Sequence, residues 1–114
     1  MKVMSFNLRS DFILDFKNRW DKRKHIVYEI IDKYDCDIIG VQEVTNKMFN
    51  DIKENFDDYT IVGKPRSKKY FSERNNLFIK NRNKIINHNT FWLSKNPEKV
   101  GSQLWYSLYP RICT

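Results

Sequence analysis

Two apolar strand-like runs, separated by one helix length, constrain this chain more than anything else in it. The first runs from Lys2 to Phe6 and leads into Asn7-Leu8-Arg9. The second, Asp37-Ile38-Ile39-Gly40-Val41, leads into Gln42-Glu43. Residues 22–34 between them carry Ile26, Val27, Ile30, Ile31 and Tyr34, the spacing of one helical face. The pattern predicts a β-α-β unit with parallel strands. Both strand ends then open onto one edge of the sheet, where ligands of α/β folds bind. An amide, Asn7, and a carboxylate, Glu43, stand side by side there. Such a pair suits a hard metal and a phosphate.

The remaining segments extend this unit. Asp21 is the N-cap candidate for the first helix. Thr45 is placed to cap a second, with Met48, Phe49, Ile52 and Phe56 on one face. Tyr59–Val62 reads as a third strand and Leu77–Lys80 as a fourth. The segment between them, 63–75, is polar and basic, holding Lys64, Arg66, Lys68, Lys69 and Arg74. Asn81-Arg82-Asn83 has turn composition and predicts a hairpin into a fifth strand, roughly Lys84 to Leu93. Tyr109 to Thr114 reads as the entry into one more strand. The order gives an α/β fold, a mixed β-sheet with helices on one face, and a single domain over residues 1–114.

Composition narrows the partners. A chain of 114 residues with 40% hydrophobic and 31% charged content folds into a globule with a modest core. The net charge of +7 favours polyanions, nucleic acid among them, although a lysine-rich surface also serves solubility alone. Cys36 and Cys113 follow no metal spacing, and reduced thiols fit a cytoplasmic setting. Met1 leads straight into the first strand without a signal-peptide pattern, and no apolar run approaches membrane-spanning length. With glycine only at 40, 63 and 101, the chain has no P-loop, dinucleotide pattern or nucleophile elbow. His25 and His88 are too far apart for a zinc motif; His25 reads as solvent-facing or packing, and His88 as structural within a strand.

Chemistry therefore falls to the strand ends. Glu43 is an acceptor-only carboxylate, which suits Mg²⁺, a cation that keeps several waters and takes few protein ligands. Asn7 can orient a phosphate oxygen or another ligand. Plainer roles stand beside these, since an Asn after a strand makes turns and a Glu before a helix serves its N-terminus. Spacing alone leans towards the plainer roles.

The wording of the segments adds to this. Met4-Ser5-Phe6-Asn7-Leu8-Arg9 and Gly40-Val41-Gln42-Glu43-Val44 resemble the first two signature motifs of the endonuclease/exonuclease/phosphatase family, the DNase I-like phosphoesterases. Asn18-Arg19-Trp20 with Arg23 resembles a loop and helix start of bacterial members. Glu73 with Asn76-Leu77-Phe78-Ile79 resembles a glutamate-then-strand element. Thr90 to Ser94, with Pro97, Gly101 and Trp105, resembles the stretch before a mid-chain arginine, and Pro110 to Thr114 resembles that arginine segment. The ordered set spans essentially the whole chain.

The resemblance implies half of a four-layer α/β/β/α sandwich, the N-terminal part of a longer domain. It implies a Mg²⁺-dependent hydrolase of phosphomonoesters or phosphodiesters, nuclease activity included, with Mn²⁺ as the alternative metal. Glu43 becomes the metal ligand and Asn7 a supporting ligand, both counted as catalytic. Glu73 and Arg111 become substrate-binding, Arg111 meeting phosphate or else forming a structural salt bridge. Trp92 and Trp105 read as core. The Gly-Asp-x-Asn and Ser-Asp-His motifs have no counterpart in the sequence, so the chain is expected to be inactive alone. The alternative is a non-catalytic, truncated member that binds a polyanion or a protein partner. An uncovered sheet face predicts self-association, with a homodimer as one solution.

Overall fold

The computed structural model of the chain describes residues 1–69 and 72–114. Strand β1 (Val3–Asn7) passes through a 3-10 segment (Ile13–Asn18) into helix α1 (Trp20–Tyr34). Strand β2 (Ile38–Val44), helix α2 (Asn46–Asn55), β3 (Tyr59–Val62) and β4 (Arg74–Lys80) follow, then β5 (Phe91–Trp92) and β6 (Ile112–Cys113). Four strands form a mixed sheet in the order β1-β2-β4-β3. β1 lies parallel to β2, while β4 runs antiparallel to β2 and β3. The expected parallel β-α-β unit is present.

Register explains where the core sits. Met4 faces Ile39 and Phe6 faces Val41, and Phe78 faces both Ile39 and Ile61. Alternation along each strand puts all of these on one face. Trp20, Val27 and Ile31 of α1 and Met48 and Ile52 of α2 are buried in the same cluster. Both helices therefore cover one face of the sheet, as expected. Each fully buried aliphatic or aromatic side chain there contributes roughly 1.5–3 kcal/mol. The opposite face is barer, with Val3 64% exposed and Ile38 and Ile79 only half-buried.

Helix ends follow two routes. Thr45 caps α2 as expected, its hydroxyl accepting from the Met48 N–H at 3.5 Å. Asp21 does not cap α1. The N-cap position is Arg19, and its side chain makes no capping bond. Instead Asp11 reaches in from the preceding loop and accepts from the Trp20 N–H at 3.0 Å, while Arg19 grips the same carboxylate at 2.7 and 3.0 Å. On α1, Val27 and Ile31 are buried, whereas Ile26 and Tyr34 are exposed, so the core-facing stripe is narrower than expected.

The expected fifth strand is mostly absent. Residues 84–90 form no strand, and β5 pairs antiparallel with β6 rather than with β4. The reason is topological, since β4 already lies between β2 and β3 and offers no free edge. His88 is exposed and outside any strand. Trp92 is buried and donates its indole N–H to the Arg66 carbonyl at 2.7 Å, but Trp105 is 90% exposed rather than core. In the basic segment 63–75, positions 70 and 71 lie outside the described residues.

Candidate functional site

The site begins where β1 and β2 end together. Asn7 faces Gln42 in register, and the Leu8 N–H donates to the Gln42 carbonyl at 3.0 Å. Leu8 is buried and anchors the strand end in the core. Arg23 of α1 donates to the Leu8 and Arg9 carbonyls and fixes the turn from beneath. Burial lowers the pKa of Arg23, although a guanidinium remains charged at any working pH.

A β-bulge then places Glu43. On β2 the pairing with β4 jumps from Val41↔Asn76 to Val44↔Arg74, which leaves one extra residue on β2. Regular alternation would send Glu43 under the helices with Val41. The extra residue instead returns Val44 to the core, where it is fully buried, and Glu43 adopts the left-handed region at φ 59°. Strain of this kind costs about 1–3 kcal/mol and persists only where the surroundings impose it.

Those surroundings are polar. Asn7 Nδ2 donates to Glu43 Oε1 at 2.9 Å, and Asn7 Oδ1 accepts from the Arg9 N–H at 2.8 Å. The Ser10 N–H donates to Glu43 Oε2 at 3.2 Å. Glu73, just before β4, accepts from the Ser10 hydroxyl through Oε1 and pairs with Arg66 Nη1 at 2.9 Å through Oε2. The C-terminal strand is tied in by Asn75, whose Nδ2 donates to the Ile112 carbonyl at 3.2 Å. Its own carbonyl accepts from the Thr114 hydroxyl at 2.7 Å. This brings Arg111 to the rim.

Asn7, Glu43, Glu73 and Arg111 thus line one cavity of about 270 Å³, together with Arg66 and Asn75. All four residues singled out in the sequence meet there. Arg111 makes no ion pair among the described residues. Ser10 and Asn75 carried no sequence signal, and Arg66 showed only as one cation of a basic segment. A second cavity of about 400 Å³ adjoins the first and shares Arg66 and Pro110 with it.

No group of three or more His, Cys, Asp or Glu capable of holding a metal occurs among the described residues. The cavity instead offers hard oxygen donors, one bulge-mounted carboxylate flanked by amides. That donor set fits Mg²⁺, which binds through one or two carboxylates and completes its shell with water and substrate phosphate. Each Glu43 oxygen takes one hydrogen bond, from Asn7 or Ser10, and keeps further acceptor capacity. Both polar atoms of the Asn7 amide are engaged, so in this arrangement it orients Glu43.

A mixed sheet backed by helices on one face, with a carboxylate-and-amide cleft at its strand ends, is the architecture of an α/β half-domain. The chain belongs to the Endonuclease/Exonuclease/phosphatase family, which matches residues 4–110. No curated protein matches it. Among solved structures, an endonuclease/exonuclease/phosphatase from Bacteroides vulgatus is 34% identical over 95% of the chain, with a TM-score of 0.87. A mannosyl-6-phosphatase from Bacteroides thetaiotaomicron is 30% identical over 98%, and a functionally unknown conserved protein from Enterococcus faecalis 26% over 98%, each with a TM-score of 0.88. The chain spans 42%, 43% and 44% of these three proteins, so it corresponds to less than half of each.

Proposed function

We propose that this chain carries the metal-binding half of a Mg²⁺-dependent phosphoesterase centre, with Mn²⁺ able to replace Mg²⁺. The observation that supports this most is the meeting of Asn7, Glu43, Glu73 and Arg111 in one cavity. Glu43 holds the cation, and Asn7 holds Glu43. Bound there, the metal supplies the charge that polarises the phosphoryl group and stabilises the leaving oxygen. Arg111 meets the phosphate oxygens, for which a forked guanidinium is suited. Glu73 keeps Arg66 on the cavity wall. The substrate is a phosphate ester, and phosphorylated sugars and nucleic acid both fall within this reading.

The chain alone turns substrate over no faster than background, because the sequence has no Gly-Asp-x-Asn or Ser-Asp-His segment to activate water and stabilise the phosphoryl oxygens. The test combines Mn²⁺ titration by electron paramagnetic resonance with hydrolysis of a phosphomonoester and a phosphodiester. Weak Mn²⁺ binding that is lost in Glu43→Gln, without turnover, is the expected result. Binding indifferent to Glu43→Gln refutes the metal assignment. Turnover that disappears in Glu43→Ala refutes the need for the missing motifs.

The bare sheet face and the exposed Trp105, Tyr106 and Leu108 also support self-association of the isolated chain, with a two-fold homodimer the simplest closed form.

A further inference from the structure

Glu43 stands on β2 and Glu73 immediately before β4, and the hydrogen bonds of one loop residue reach both. The Ser10 N–H donates to Glu43 Oε2 at 3.2 Å. The Ser10 hydroxyl lies 3.2 Å from the Glu43 carbonyl oxygen and 2.5 Å from Glu73 Oε1. Ser10 is half-buried, so these bonds are only partly open to competition from water. The loop that carries it is itself held. Arg23 grips the Leu8 and Arg9 carbonyls just before Ser10, and Asp11 just after it is locked to Arg19 and to the start of α1.

We propose that Ser10 is a positioning residue that holds the bulged Glu43 in its left-handed conformation and couples it to Glu73. The inference rests on the metal-centre reading above for its consequence, but not for its geometry. A glutamate at φ 59° relaxes unless its neighbours oppose it. Asn7 restrains only the carboxylate. Ser10 restrains both the carboxylate and the backbone carbonyl, which is the end of the residue where the strain resides. A hydroxyl has one proton, here shared between two acceptors. When Glu73 draws that proton closer, the Glu43 carbonyl loses part of its donor. The hold on Glu43 therefore depends on where Glu73 sits, and Arg66 sets that through its 2.9 Å ion pair. Contact at the cavity wall is thereby transmitted to the metal carboxylate.

The test compares this chain with Ser10→Ala, Ser10→Thr and Glu73→Gln by carbon-detected NMR without metal, and then by Mn²⁺ titration. Ser10→Ala keeps the N–H and removes only the hydroxyl. Shifts of both the Glu43 carbonyl and the Glu73 carboxyl resonances are expected, with both restored in Ser10→Thr. Glu73→Gln is expected to move the Glu43 carbonyl resonance from the other end, which keeps the test decisive if Ser10→Ala fails to fold. Mn²⁺ affinity should fall about tenfold in Ser10→Ala, the low end for loss of a partner that orients a metal ligand. A Glu43 carbonyl resonance unmoved in both Ser10→Ala and Glu73→Gln overturns the proposal. If Glu43→Gln leaves Mn²⁺ binding intact, the metal-centre reading fails by itself and the metal-free resonances still decide the role of Ser10.

Discussion

Glu43 concentrates the physics of the site in a single residue. A side chain in the left-handed region costs about 1–2 kcal/mol, from which glycine is exempt. Glu43→Gly is therefore expected to exceed Glu43→Ala in stability by about 1 kcal/mol in urea unfolding, although glycine usually loses to alanine inside strands. Equal stabilities would mean that the backbone relaxes and that the bulge is not enforced. The pair Asn7 and Glu43 was legible in the sequence because polar residues ending apolar runs stand out locally. The φ of Glu43 was not, because it accompanies a bulge against β4, some thirty residues further along. Ser10 was invisible for the same reason, as one polar residue in a polar loop.

Local elements were read well where their signals are local, and poorly where they are not. Thr45 before an amphipathic run marked α2, and Tyr59–Val62 marked β3 within the right bounds. The first helix shows the limit, since its cap comes from Asp11, nine residues before Trp20. The Arg19 guanidinium holds the Asp11 carboxyl at about 2, against an ordinary 3.8. A depressed carboxylate pKa stabilises the fold above the unfolded value and ceases to do so as pH falls through the folded one. Asp11→Ala should thus cost about 1–2 kcal/mol at neutral pH. The gap from the unmutated chain should close as pH drops from 4 towards 2, as followed by denaturant unfolding. A gap independent of pH would show that the carboxylate charge does not matter. The fifth strand failed for a different reason. The run from Lys84 to Leu93 reads as one strand, but no edge of β4 is open to receive it.

For the molecule as a whole, the sequence disclosed the one-sided sheet and left the apolar surface near the end of the chain unread. Trp105 was expected inside and stands 90% exposed, with Leu108 at 86%. Patches of this kind mark surfaces that meet another surface. Light scattering with size-exclusion chromatography should find the isolated chain as a dimer or larger species. Replacing Trp105 and Leu108 by Ser should shift it towards monomer. A monodisperse monomer before any substitution counts against self-association.

The docking of β6 beside β4, through Asn75, Ile112 and Thr114, sets a timetable for the cleft. Asn7 and Arg111 lie close to opposite ends of the chain, yet they wall the same cavity. A ribosome delivers Asn7 well before Arg111. The β-α-β unit can close on itself early, because its contacts are short in sequence, whereas the cavity waits on a closure that spans nearly the whole chain. A partly synthesised chain therefore presents the glutamate without the arginine, and the Arg111 wall of this cavity forms after the Glu43 wall.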